Sequence, residues 1–231
     1  MFYYYGIDWT YLVLVLPAVI FAIIAQAKVT STFEKYSKIS TRSGMTGERA
    51  ARMILDRNGL HDVRIEHISG NLNDHYDPRT NVIRLSDATY MARSAAAVGV
   101  AAHEAGHAVQ HAKGYTPIKV RTAIIPVTSI GSKLTIPLLI AGAIFSYQPL
   151  INIGIILFAL STVFQLVTLP VEFNASFRAM QALRESGCMY EDELDASKKV
   201  LTAAAMTYVA ALAVSLMQLL RLVLIFGRRR D

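Results

Sequence analysis

Residues 94–114 read S-A-A-A-V-G-V-A-A-H-E-A-G-H-A-V-Q-H-A-K-G, and whether this stretch is helical decides what the rest of the chain must build around it. Ser94 suits an N-cap, the Ala-rich run behind it contains no proline, and Gly114 stands just past the last periodic residue, so a helix is predicted over residues 94–113. On that helix His103 and His107 lie one turn apart on one face, with Glu104 beside them. Two imidazoles at this spacing can share one metal ion while the carboxylate stands next to it, the H-E-x-x-H arrangement of zinc hydrolases. A chance match on a solvated helix is the plain alternative. The Ala/Gly/Val flank argues against it, because it reads as buried, and a buried Glu without a partner is costly.

Outward from the helix the composition turns unusual. Of 231 residues, 53% are apolar and only 17% charged, and the apolar ones are bunched into long runs without charge, which indicates a membrane protein. The net charge of +6 is mixed with acids and shows no basic run interleaved with aromatics, so nucleic acid is not an expected partner. A single cysteine, Cys188, excludes an internal disulfide and reads as a small buried residue rather than a nucleophile.

Four spans follow from the runs. The first covers residues 9–27, preceded by tyrosines at 3–5 and followed by Lys28, Lys35, Lys38 and Arg42. With one acid, Asp8, and no base ahead of it, this segment reads as a membrane helix or uncleaved anchor, not a cleavable signal peptide. The positive-inside rule then puts the N-terminus outside and the next region in the cytoplasm. Residues 28–121 form the candidate catalytic region: a helix capped by Thr46 and stopped at Gly59, a strand at 63–68, a hairpin with its turn at 78–81, and a short helix capped by Ser86 to about residue 93. Spans at 130–147 and 150–169 make a membrane hairpin, a polar segment occupies 170–199, and 200–226 is the last span or an interfacial helix. If it spans, the arginine tail at 228–230 ends outside, against the charge rule. The bias beside the first helix is the stronger guide, which favours four spans. The fold class expected is a mainly α membrane protein carrying a small α+β zincin-like cytoplasmic domain, with a short sheet ahead of the metal-binding helix.

A hydrolytic zinc site takes three protein ligands and keeps one position open. His111 continues the four-residue spacing, but eight helical residues rise about 12 Å, too far to share an ion with His103 at bonds of about 2 Å. Glu172 is the better candidate, since the hairpin returns the chain to the membrane face it left, where a carboxylate at a helix start could swing beneath the metal. One Zn2+ per chain is expected, held by His103, His107 and Glu172. Glu104 is then the general base toward the zinc-activated water and the acid toward the leaving amine. His75, Tyr76 and Arg178 are equal candidates for stabilising the oxyanion.

The motifs H-Y-D-P-R-T-N-V-I-R-L-S at 75–86, A-A-H-E-A-G-H-A at 101–108 and Q-L-V-T-L-P-V-E-F-N-A-S at 165–176 make nearly the whole chain resemble the YugP-like membrane zinc metallopeptidases. More distantly the order of helix, hairpin and E-x-x-A helix is similar to the HtpX and CAAX-prenyl-protease gluzincins. That resemblance implies His103, His107 and Glu172 as ligands and Glu104 as catalytic. The distant group carries an Asp four residues after the ligand Glu, where this chain has Ser176, so either Ser176 orients a zinc histidine more weakly than a carboxylate does or another acid substitutes for it. The expected function is an integral-membrane zinc endopeptidase, a cell-membrane multi-pass protein with its active site at the cytoplasmic face and a peptide or membrane-protein substrate. The alternatives are a non-catalytic membrane metal-binding scaffold and a zinc hydrolase of a non-peptide amide. Nothing in the sequence bears on oligomeric state.

Overall fold

The computed structural model describes residues 9–226. The tyrosines at 3–5, Asp8 and the arginine tail, on which part of the topology reading draws, lie outside the described residues. Six α-helices and three strands are described in the order α1 (Leu16–Tyr36, preceded by a π-helical turn Tyr11–Val15), α2 (Gly47–Arg57), β1 (Arg64–Ile68), β2 (His75–Asp77), β3 (Val82–Ser86), α3 (Ala95–Ala112), α4 (Thr116–Ile144), α5 (Gln148–Ser186) and α6 (Glu191–Phe226). The protein is mainly α with a small sheet. The contacts divide it into two compact units, and α1, α4, α5 and α6 contribute residues to both.

One unit comprises Gln26–Lys119 and Pro170–Met206. Its core is α2 against α3, closed by the sheet and the C-terminal half of α5. Ala50, Ala51, Ile54, Leu55, Val98, Ala101, Ala105, Ala179 and Leu183 are all nearly or fully buried in one cluster. The two helices are capped as their sequences dictate: the Thr46 hydroxyl accepts from the Arg49 N–H and the Ser94 hydroxyl from the Ala97 N–H, each at 3.2 Å. Gly59 ends the first with a φ of +72° that favours glycine.

The sheet runs β1-β3-β2, with β1 parallel and β2 antiparallel to the central β3, whose Val82, Ile83 and Leu85 are fully buried. Asp77 builds the turn between β2 and β3 by accepting from the Arg79 N–H and the Thr80 hydroxyl. The short helix expected after Ser86 is instead a run of turns. Backbone carbonyls there are already taken from outside: Tyr90 and Ala92 accept from the N–H groups of Glu48 and Gly47, and Arg93 from Thr41. The Ser86 hydroxyl donates to Asp74.

At the other end of this unit Glu193, buried in the first turn of α6, accepts from the N–H groups of Tyr190 and Arg42. The acids at 191–195 therefore start a helix. Cys188, expected buried, is half-buried.

The second unit takes residues 9–25, 120–169 and 207–226. Its helices display large apolar side chains outward, among them Ile23, Ile130, Ile136, Ile144 and Ile156, each more than 60% exposed. A surface this apolar belongs in hydrocarbon, not water. Among the described residues four helices are long and apolar enough to cross a membrane: Tyr11–Tyr36, Thr116–Ile144, Gln148–Ser186 and Glu191–Phe226. Inside this unit the Thr162 and Ser215 hydroxyls pair at 2.7 Å, and the Arg221 guanidinium lies 5.5 Å from the centre of the Tyr11 ring.

The helices outrun the spans read from the sequence. In particular α5 continues through Pro170 to Ser186, so Glu172 sits in the middle of a 39-residue helix and not at a helix start. Pro170 forfeits one helical hydrogen bond, and the Ala-, Leu- and Met-containing segment after it resumes the helix at once.

Candidate metal centre

Helices α3 and α5 meet where the chain offers least bulk. A Cβ on Gly106 would fall 2.6 Å from the carbonyl oxygen of Ala175, a distance no side chain tolerates, so this glycine is what lets the two backbones touch. The contact places Glu172, only 2% exposed, against the two histidines. Its Oε2 is 3.3 Å from His103 Nε2 and 3.5 Å from His107 Nε2, and the three atoms lie within 4.8 Å of one another. The imidazole rings stand edge to face, their centroids 4.7 Å apart.

The donors fit a zinc ion. Tetrahedral ligand atoms at bonds of about 2.0 Å are about 3.3 Å apart, close to the separations found between Glu172 and each histidine. The opposite ring nitrogens are occupied, so each Nε2 is the one aimed into the cluster. His103 Nδ1 is 3.1 Å from the Ser176 hydroxyl, and His107 Nδ1 is 3.0 Å from Gln110 Oε1. Two nitrogens and one carboxylate oxygen are a donor set for Zn2+ that leaves a fourth position open.

Glu104 stands beside this set, nearly buried, and one of its oxygens accepts from the Tyr76 N–H at 2.9 Å. Burial raises its carboxyl pKa, against the pull of His103 and His107. That shift makes it a stronger base than a solvated glutamate. Burial disfavours charge on His107, but the hydrogen bond to Glu172 and the negative charges of Glu104 and Glu172 outweigh it and raise that pKa.

The remaining candidates are placed as follows. Tyr76 reaches Glu104 through its backbone, while its phenol donates to Asn81 Oδ1 at 3.0 Å. The exposed His75 pairs its Nδ1 with the Asn73 carbonyl. Arg178 donates from Nε to Asn174 Oδ1 at 2.7 Å, and its guanidinium is 5.9 Å from the Tyr115 ring centre. The His111 ring meets that of Tyr76 at a tilt of 59°, their centroids 5.6 Å apart.

The sequence reading missed Gln110, fully buried, and its partner Asn174. The signal available for Gln110 is its isolation as an uncharged polar residue three positions beyond His107 in an Ala/Val face. A fully buried amide needs specific partners.

A family model described as "Putative neutral zinc metallopeptidase" matches residues 11–227. The chain belongs to that family. It is also 50% identical over 207 residues, 90% of this chain and 92% of the relative, to a protein of Bacillus subtilis (strain 168) named "Putative membrane protease YugP". No solved structure matches it significantly. Family membership implies zinc, the His-His-Glu cluster is able to hold it, and the four apolar helices make this zinc metallopeptidase family member a membrane protein.

Proposed function

We propose that the protein is an integral-membrane endopeptidase of the gluzincin type, with one zinc ion per chain held by His103, His107 and Glu172. The observation that carries this reading is the convergence of Glu172 Oε2 on both Nε2 atoms. Bound there, zinc supplies Lewis acidity, polarising a carbonyl oxygen and acidifying water.

The protein's own groups do the rest. Glu104, held by the Tyr76 N–H and made more basic by burial, accepts a proton from the attacking water and hands it to the departing amine. The same Tyr76 N–H belongs to β2, which lies at the edge of the sheet. A peptide laid beside that edge in extended form through main-chain hydrogen bonds brings its carbonyl groups alongside Glu104. This favours a peptide over a non-peptide amide and supports peptide or membrane-protein segments as substrates.

The active site faces the cytoplasm in this reading, because Lys28, Lys35, Lys38 and Arg42 follow the first apolar segment. The last helix spans: the Thr162–Ser215 pair joins it to α5, and the Arg221 contact sets its far end beside the start of the first helix.

The test is zinc content together with cleavage of an unfolded membrane-protein substrate by the purified full chain. Wild type is expected to hold one zinc per chain and cleave; Glu104→Gln is expected to hold the same zinc and not cleave. Undiminished proteolysis by Glu104→Gln overturns the reading.

A further inference from the structure

His107 and His103 are oriented by different chemistry. Gln110 is fully buried, and its Nε2 donates to the Val171 carbonyl at 2.8 Å and to Asn174 Oδ1 at 3.0 Å. A backbone carbonyl can only accept, so the amide nitrogen must face Val171 and the amide oxygen must face His107. That oxygen can only accept too, which obliges His107 Nδ1 to carry the hydrogen and leaves the lone pair of the neutral ring on Nε2, the atom aimed at Glu172. Asn174 Oδ1 is held in turn by Arg178 Nε at 2.7 Å. The Ser176 hydroxyl beside His103 can donate or accept, so it fixes no tautomer. Gln110 also ties α3 to α5 beside the ligands, because Val171 and Asn174 lie one residue before and two residues after Glu172.

We propose that Gln110 is the positioning residue of the metal centre: it locks His107 in the tautomer that ligates through Nε2 and sets the α5 segment carrying Glu172 at ligating distance. Asn174 and Arg178 form the brace behind it. The inference rests on the His103–His107–Glu172 reading of the centre and assigns Gln110 a stronger role than Ser176.

The experiment uses the full chain in detergent, with zinc affinity from chelator competition, the Co2+ absorption spectrum as a reporter of ligand geometry, and Tm of the metal-free protein. Gln110→Leu, which removes both the acceptor and the donors, is expected to lower zinc affinity about 10–100-fold and to alter the cobalt spectrum. Gln110→Glu keeps an acceptor for His107 but loses the donors to Val171 and Asn174. It is expected to lower Tm and to weaken zinc binding less than Gln110→Leu does. Ser176→Ala is expected to weaken zinc less than Gln110→Leu does.

Unchanged affinity in Gln110→Leu overturns the proposal. Equal losses in Gln110→Leu and Gln110→Glu that track Tm also overturn it, since they describe a strut without a role at the metal. Glu172→Ala separates the two levels: if it binds zinc as wild type does, the reading of the centre fails and the proposal with it. If it loses zinc while Gln110→Leu does not, only the proposal fails.

Discussion

Glu172 is the residue on which the proposed centre turns, because the helix bearing His103 and His107 offers two donors to it. The four-residue spacing made those two histidines and Glu104 legible without any structure. That the Glu172 carboxylate meets the histidines was legible only by reasoning that a membrane hairpin returns the chain to its starting face. Gln110 was not legible, since its importance comes from partners on α5, more than sixty residues away, and a lone Gln in an apolar helix does not name them. The geometry at Glu172 is tight. Glu172→Asp draws the carboxylate back by one bond, about 1.5 Å, from atoms it now meets at 3.3 and 3.5 Å. Zinc affinity measured by chelator competition is expected to fall in this variant nearly as far as in Glu172→Ala.

At the scale of elements, what matters is how closely α3 and α5 approach. Gly106→Ala would put a methyl 2.6 Å from the Ala175 carbonyl oxygen, with backbone on both sides and nothing flexible to yield. The helices must part. A loss of about 1–3 kcal/mol in stability is expected, accompanied by weaker zinc binding, which thermal melting with and without zinc would report.

The small sheet has its own anchor in Asp87, which accepts from the Gly70 N–H and pairs with His67 at 2.6 Å. These contacts, the Gly70 hydrogen bond foremost, lower its pKa. A carboxyl lowered in the folded state stabilises above its unfolded pKa of about 3.9, and that contribution is lost as pH falls through the lowered value. Melting of wild type and Asp87→Asn between about pH 6 and pH 3 should therefore converge toward the acid end. The strands, the capped helices and the turn at Asp77 were written in local sequence. The segment after Ser86 was misread, because its carbonyls are claimed by Thr41, Gly47 and Glu48, contacts that local propensity does not contain.

For the whole molecule, the apolar runs announced the membrane and the number of long helices, while helix ends escaped because hydropathy marks where lipid begins and not where a helix stops. Thus α5 carries both a span and a zinc-ligand candidate within one 39-residue helix. The orientation proposed here is testable with single cysteines in a Cys188→Ser background, Cys188 being the chain's one cysteine. Lys113→Cys, just after α3, is expected to react with a membrane-impermeant maleimide only after cells are permeabilised. Tyr147→Cys, an exposed position between α4 and α5, is expected to react in intact cells. The reverse pattern would place the centre outside.

The central claim, that a glutamate from α5 completes a two-histidine site, is tested most directly by zinc K-edge X-ray absorption on the zinc-loaded full chain. The account predicts two imidazoles and oxygen donors at about 2.0 Å, with one protein oxygen donor lost in Glu172→Ala. A third imidazole, or a spectrum unchanged by Glu172→Ala, would contradict it.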